Sequence, residues 1–125
     1  MTDPIRRQAT YKRGVDAENR CVQSLTAAGW QILEQRARNG AGEIDIIALD
    51  GEAVVFIEVK FRKILSEAAY AILPRQQKRI AAAAEIWLAE NPTHQSRSAR
   101  FDAILLAPGG QARHIRQAFD ASDLS

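Results

Sequence analysis

The run from Glu43 to Lys60 sets the terms for any fold this chain can adopt. Two apolar stretches, residues 44–49 and 53–59, flank Asp50-Gly51. An aspartate-glycine pair between apolar runs is a strong hairpin signal, because the tight loop needs positive φ. With Asp50 and Gly51 as the loop, Leu49 lies opposite Glu52, Asp45 opposite Phe56 and Glu43 opposite Glu58. Opposed residues share a face, and side chains alternate along each strand. Glu43, Asp45, Glu58 and Lys60 are therefore expected on one face, with Asp45 diagonal to Glu58 at about 7–8 Å. Two carboxylates so placed can reach one divalent cation, with Lys60 beside them.

The surroundings make these acids unusual. Ile44, Ile46, Ile47, Val54, Val55, Phe56, Ile57 and Val59 leave almost no polar position in either strand. Such runs point to strands covered on both faces, as in the sheet of an α/β sandwich. Ionised carboxylates there are costly unless paired or bound to a metal. The plainer alternative is an exposed sheet edge with a Glu58–Lys60 ion pair and a solvated Asp45.

The length of 125 residues suits one domain with a proper core. The expected organisation is a mobile arm over residues 1–9, one domain over 10–119, and a tail over 120–125. No apolar run reaches membrane-spanning length, and the first residues lack the apolar core of a signal peptide. Cys21 is the single cysteine, which excludes a disulfide framework and a thiolate zinc site. A cytoplasmic protein is the expectation. The net charge is only +2, but 13 of the 17 basic residues are arginine, a planar fork of donors suited to phosphates.

From Tyr11 to Ala28 the spacing is helical, and Gly29 stands where a C-terminal cap belongs. The apolar stripe runs Tyr11, Val15, Glu18, Val22 and Leu25, so an acid occupies a core-facing position. Glu18 is either a boundary residue leaning towards water or a third carboxylate delivered to the hairpin acids. Residues 30–34 read as a first strand and 36–42 as a basic, glycine-containing loop. Residues 61–73 have no clean period and are expected to cross the mouth of a site at Asp45 and Glu58. Pro74 opens a second helix running to Glu90, with Ile80, Ala81, Ala84, Trp87 and Leu88 inward. One turn back, Gln77 is placed to hydrogen-bond a water or phosphate near the helix N-terminus, or is a polar residue at a frayed helix start. Residues 101–107 form a strand and 112–116 a returning one, with Asp102 read as a strand-end acid pairing with a nearby arginine.

This order of helix, three strands, helix and strand, with Asp45 followed by Glu58-Val59-Lys60, resembles the PD-(D/E)xK nuclease superfamily. More narrowly, the chain resembles the YraN family of small uncharacterised bacterial proteins, related in fold to Holliday junction resolvases. The matching residues are Gly14, Ala17-Glu18, Gly42-Glu43-Ile44-Asp45, Phe56-Ile57-Glu58-Val59-Lys60, Arg62, Lys78, Arg100-Phe101-Asp102, His114-Ile115 and Ala118-Phe119. The resemblance spans residues 14–119. It implies a restriction-endonuclease-like α/β fold, a three-layer sandwich with a central mixed sheet flanked by helices. It places the metal-binding acids on Asp45 and Glu58, the active-site lysine on Lys60, and a helix-borne acid on Glu18. Ile44 stands where the superfamily name has proline.

The expected function is accordingly a Mg²⁺- or Mn²⁺-dependent nuclease cutting DNA phosphodiester bonds. The alternative is a non-catalytic nucleic-acid-binding or repair-accessory module on the same fold. Catalytic candidates are Asp45, Glu58, Lys60, Glu18 and Gln77, with Asp45, Glu58 and Glu18 as metal ligands. Arg36, Arg38, Arg62, Lys63, Arg75, Lys78 and Arg79 are expected to converge near the acids and contact phosphates, which set position but carry no base information. Binding should then follow strandedness or DNA shape and not sequence. Cutting both strands requires two sites, hence a homodimer.

Overall fold

The computed structural model describes residues 4–63 and 72–121. Helix α1 (Pro4–Ala27) leads into strands β1 (Gln31–Asn39), β2 (Gly42–Asp50) and β3 (Ala53–Phe61). Helix α2 (Pro74–Glu90) and strands β4 (Ala99–Leu106) and β5 (Ala112–Phe119) follow. The helix takes in residues 4–9, which the sequence reading assigns to a mobile arm; residues 1–3 and 122–125 lie outside the described residues. So do residues 64–71, the middle of the segment expected to cross the mouth of the site.

Helix α1 stops where Gly29 allows it. Gly29 adopts φ +94, its N–H bonds the Thr26 carbonyl, and the Trp30 N–H reaches back to Leu25. This is a Schellman ending, closed by apolar contact between Trp30 and Leu25 in one core cluster. The buried stripe of α1 is Ala17, Cys21 and Leu25, with Val22 packed beside it. Glu18 flanks this stripe, and its side chain is 14% exposed. Of the stripe expected from sequence, Tyr11 has a side chain outside the described residues. Helix α2 begins at Pro74 and ends at Glu90, as the sequence predicts, and buries Ile80, Ala83, Ala84 and Trp87.

The five strands lie in the order β1-β2-β3-β4-β5, antiparallel except for the β3–β4 pair. The parallel pair follows from α2, which carries the chain back across the sheet before β4 begins. Two core clusters fill the faces. One joins Ile47, Leu49, Val54 and Phe56 to the buried residues of α2. The other joins Ile46, Ala48, Val55 and Ile57 to those of α1. The result is a three-layer α/β sandwich, and its two central strands are covered on both faces as their composition predicts. Among the described residues no helix is long and apolar enough to cross a membrane.

The hairpin register differs from the expected one. Asp50 pairs with Ala53, Leu49 with Val54, and Ile47 with Phe56. The loop is thus Gly51-Glu52, with Gly51 at φ +62 and Asp50 kept in the strand. Glycine at the first loop position is the II′ arrangement, which needs positive φ only there. Strand β1 also runs through Arg36 and Arg38, so the basic loop expected over 36–42 shrinks to a tight turn. There the Asn39 Oδ1 accepts the Ala41 N–H at 3.0 Å.

Candidate metal and nucleic-acid site

Shifting the hairpin by two residues brings the acids closer than the diagonal expected from sequence. Ladder pairing between β2 and β3 ends at Ile46↔Ile57. One step further along the same register, Asp45 stands level with Glu58. Here β2 is distorted: Ile44 packs in the α2-side cluster and Ile46 in the α1-side cluster, although two residues apart they should share a face. Across from Asp45, Arg36 on β1 has φ +53. The expected common face of Glu43, Asp45, Glu58 and Lys60 therefore does not survive. Glu43 is exposed and meets Arg38 at 3.3 Å. Asp45 instead sends its carboxylate into the gap between β2 and β3, where Oδ2 accepts the Val59 N–H at 2.7 Å.

The electrostatics of this pair follow from its position. Burial, reinforced by the neighbouring Glu58 charge, pushes Asp45 up to about 7. Burial also raises Glu58, with Lys60 drawing it part of the way back. Lys60 Nζ lies 3.3 Å from Glu58 Oε1. Below neutrality burial thus favours a proton on this pair. Two bare carboxylates in contact need either that proton or a cation.

A pH dependence of stability follows, with a definite sign. Asp45 binds its proton more tightly folded than unfolded, so the folded state holds more protons between about pH 4 and pH 7. In EDTA, stability should fall as pH rises through that window, by at most about 4 kcal/mol. Urea unfolding at pH 5 and pH 8 checks this, and the difference should shrink in Asp45→Asn. A wild type and variant with the same pH profile would refute it.

The other expected site residues are dispersed. Glu18 carries charge towards both acids, but its Oε2 is held by Arg36 Nε at 2.9 Å. No group of three Asp, Glu, His or Cys side chains able to hold a metal ion occurs among the described residues. The candidate ligands brought together are thus Asp45 and Glu58, with Glu18 an ion-paired neighbour. Gln77 donates its side-chain N–H to the Ile72 carbonyl at 2.9 Å, fastening the start of α2. Arg62 and Lys63 line a groove beside α1. Arg75, Lys78 and Arg79 belong to α2, the helix of the other face. The expected convergence of basic residues is thereby split between two faces.

Asp102 pairs with a nearby arginine, Arg100, as the sequence suggests, but its depth was missed. Asp102 is not a strand-end acid but a buried one, 1% exposed. It accepts from Arg100 Nε at 2.9 Å, His114 Nε2 at 2.8 Å and the Gln117 N–H at 3.0 Å. Burial alone would raise its pKa, but these three donors outweigh it and lower it. Arg100 continues to Asp50 at 3.0 Å, and Arg100 and Arg116 both lie over the Trp30 ring. The available signal was Arg100-Phe101-Asp102 itself, since residues two apart on a strand share a face.

The fold and the acid pair define an α/β sandwich protein with a carboxylate site at the fork of its central hairpin. Its sequence from residue 17 to 106 matches the profile of the uncharacterised protein family UPF0102, and the chain belongs to that family. A UPF0102 protein of Rhodopseudomonas palustris (strain HaA2) is 48% identical over 116 residues, covering 93% of this chain and 91% of its own length. One from Bradyrhizobium sp. (strain BTAi1) is 50% identical over 116 residues, covering 93% and 85%. The expected membership in an uncharacterised bacterial family thus holds at family level.

Proposed function

We propose that the protein is a metal-dependent nuclease of the PD-(D/E)xK, restriction-endonuclease-like kind, which hydrolyses DNA phosphodiester bonds by structure and not by sequence. One observation carries the reading: Asp45 and Glu58 come together from adjacent, largely buried strands, Asp45 held by the Val59 N–H at 2.7 Å and Lys60 Nζ 3.3 Å from Glu58. The pair fits a hard divalent cation, because Mg²⁺ and Mn²⁺ prefer carboxylate oxygens and Mg²⁺ needs only one or two of them. Asp45 and Glu58 would hold the ion, with Glu18 in reserve behind its pair with Arg36. When bound, such an ion supplies a hydroxide nucleophile at neutral pH and a sink for phosphate charge.

The chain's own residues do the rest. The Val59 N–H fixes one oxygen of Asp45, leaving the other for a ligand. Lys60 stands close enough to Glu58 to orient the attacking water and to stabilise negative charge on the phosphate. In hydrolysis the water oxygen bonds to phosphorus, the bond from phosphorus to the leaving ester oxygen breaks, and that oxygen takes up a proton. Cutting both strands of a duplex or junction requires two such sites, and so two copies of the chain. Assays with Mg²⁺, Mn²⁺ or EDTA on single-stranded, duplex and four-way-junction DNA test the proposal. Lys60→Ala should lower cleavage by about a hundredfold or more while keeping Mg²⁺ affinity by calorimetry. Cleavage at the wild-type rate would reduce Lys60 to an ion-pair partner of Glu58.

A further inference from the structure

On the α1 face, a groove of about 900 Å³ runs between α1 and strands β3, β4 and β5. Arg20, Arg62, Lys63 and Arg116 border it, and no carboxylate occurs among its described lining residues. Phe61 also lines it and is 52% exposed. Beneath lies Trp30, with the guanidinium of Arg116 5.7 Å from its ring centroid. This floor is built and not incidental. The buried Asp102 ties His114 and the Gln117 N–H, and Gln117 takes φ +50 where β5 bulges against β4. The bulge sets where Arg116 and His114 meet the groove.

We propose that this groove binds single-stranded nucleic acid, with phosphates on Lys63, Arg20 and Arg116 and a base stacked on Phe61. A cationic channel with an exposed aromatic suits a single strand, whose bases are free to stack, whereas a duplex hides its base faces. Among the described lining residues no acid opposes the charge of the backbone, and Arg116 also meets Asp50 at 3.6 Å. Asp45 and Glu58 are not among its described lining residues, but short stretches of chain link them to it. Cys21 lines it three residues after Glu18, and Phe61 lies two residues beyond Val59, whose N–H holds Asp45. Delivery of a strand to Asp45 and Glu58 rests on the nuclease reading; binding in the groove does not.

The test is fluorescence anisotropy of the full chain with a labelled oligothymidine of about twelve nucleotides and a duplex of equal length, both in EDTA. The single strand should bind more tightly. Phe61→Ala should weaken it about tenfold, and Lys63→Glu with Arg116→Glu should weaken it further and flatten its salt dependence. Arg113→Glu, at an exposed β5 position that does not line the groove, should leave it unchanged. Phe61, Lys63 and Arg116 are all exposed, so these variants keep the core. Equal affinity for the duplex, or indifference to both the Phe61 and the charge variants, would overturn the proposal. Failure of the nuclease reading looks different: no Mg²⁺-dependent cleavage, with oligothymidine binding in EDTA intact.

Discussion

Replacing Asp45 with asparagine should lower Mg²⁺-dependent DNA cleavage by about a thousandfold, or about 4 kcal/mol of barrier. It should also remove most of the Mg²⁺ heat seen by calorimetry. The substitution keeps the volume of the side chain and its acceptor for the Val59 N–H, but deletes the charge that a cation needs. In the absence of metal the same change should stabilise the protein at pH 8. There the wild type must keep an ionised carboxylate beside Glu58 within a partly buried site. The two effects together are diagnostic: a ligand residue carries a cost to the apo fold that its ion offsets. A variant that cleaves normally, or that is less stable than wild type at pH 8 in EDTA, would remove Asp45 from the proposed site.

The second large effect is structural. Asp102→Ala should cost about 3–5 kcal/mol of folding stability, because it strands donors that were paired to a buried charge. Arg100 keeps Asp50 as a partner at 3.0 Å, but His114 and the Gln117 N–H lose their shared acceptor. The sign with pH is opposite to that of Asp45. The folded state lowers the Asp102 pKa, so its contribution is complete above the ordinary carboxylate range and fades as pH falls through and below it. Urea unfolding of the variant should show the loss at pH 7 and a smaller loss in acid. A cost under about 1 kcal/mol would mean that the cluster is solvated and adds little.

Near the acid pair, local and long-range forces divide the work. Sequence alone determined that residues 44–59 form a hairpin buried on both faces, because continuous β-branched and aromatic runs around a glycine turn leave no solvent face. It also determined both ends of α2, through Pro74 and Asn91-Pro92, and the stop of α1 at Gly29. These signals are local: each rests on the φ/ψ preference or side-chain period of a few neighbours.

The hairpin register was decided by tertiary structure. Asp50-Gly51 marks the turn, but whether Asp50 sits in the loop or ends the strand depends on what its carboxylate can reach. Arg100 and Arg116, from β4 and β5, lie 3.0 and 3.6 Å from it. The conformation of Arg36, the reversal of β2 between Ile44 and Ile46, and the insertion of Asp45 towards Val59 likewise involve partners on three strands and on α1. Asp102 was underestimated for the same reason. A carboxylate at a strand position reads as exposed until an arginine two residues away, a histidine twelve residues on and a bulged backbone N–H close around it. Apolar burial can be read from the chain because it depends on composition and period. Placement of charge cannot, because ionised groups are stable in a core only where distant donors meet them, and that meeting exists only in the folded chain.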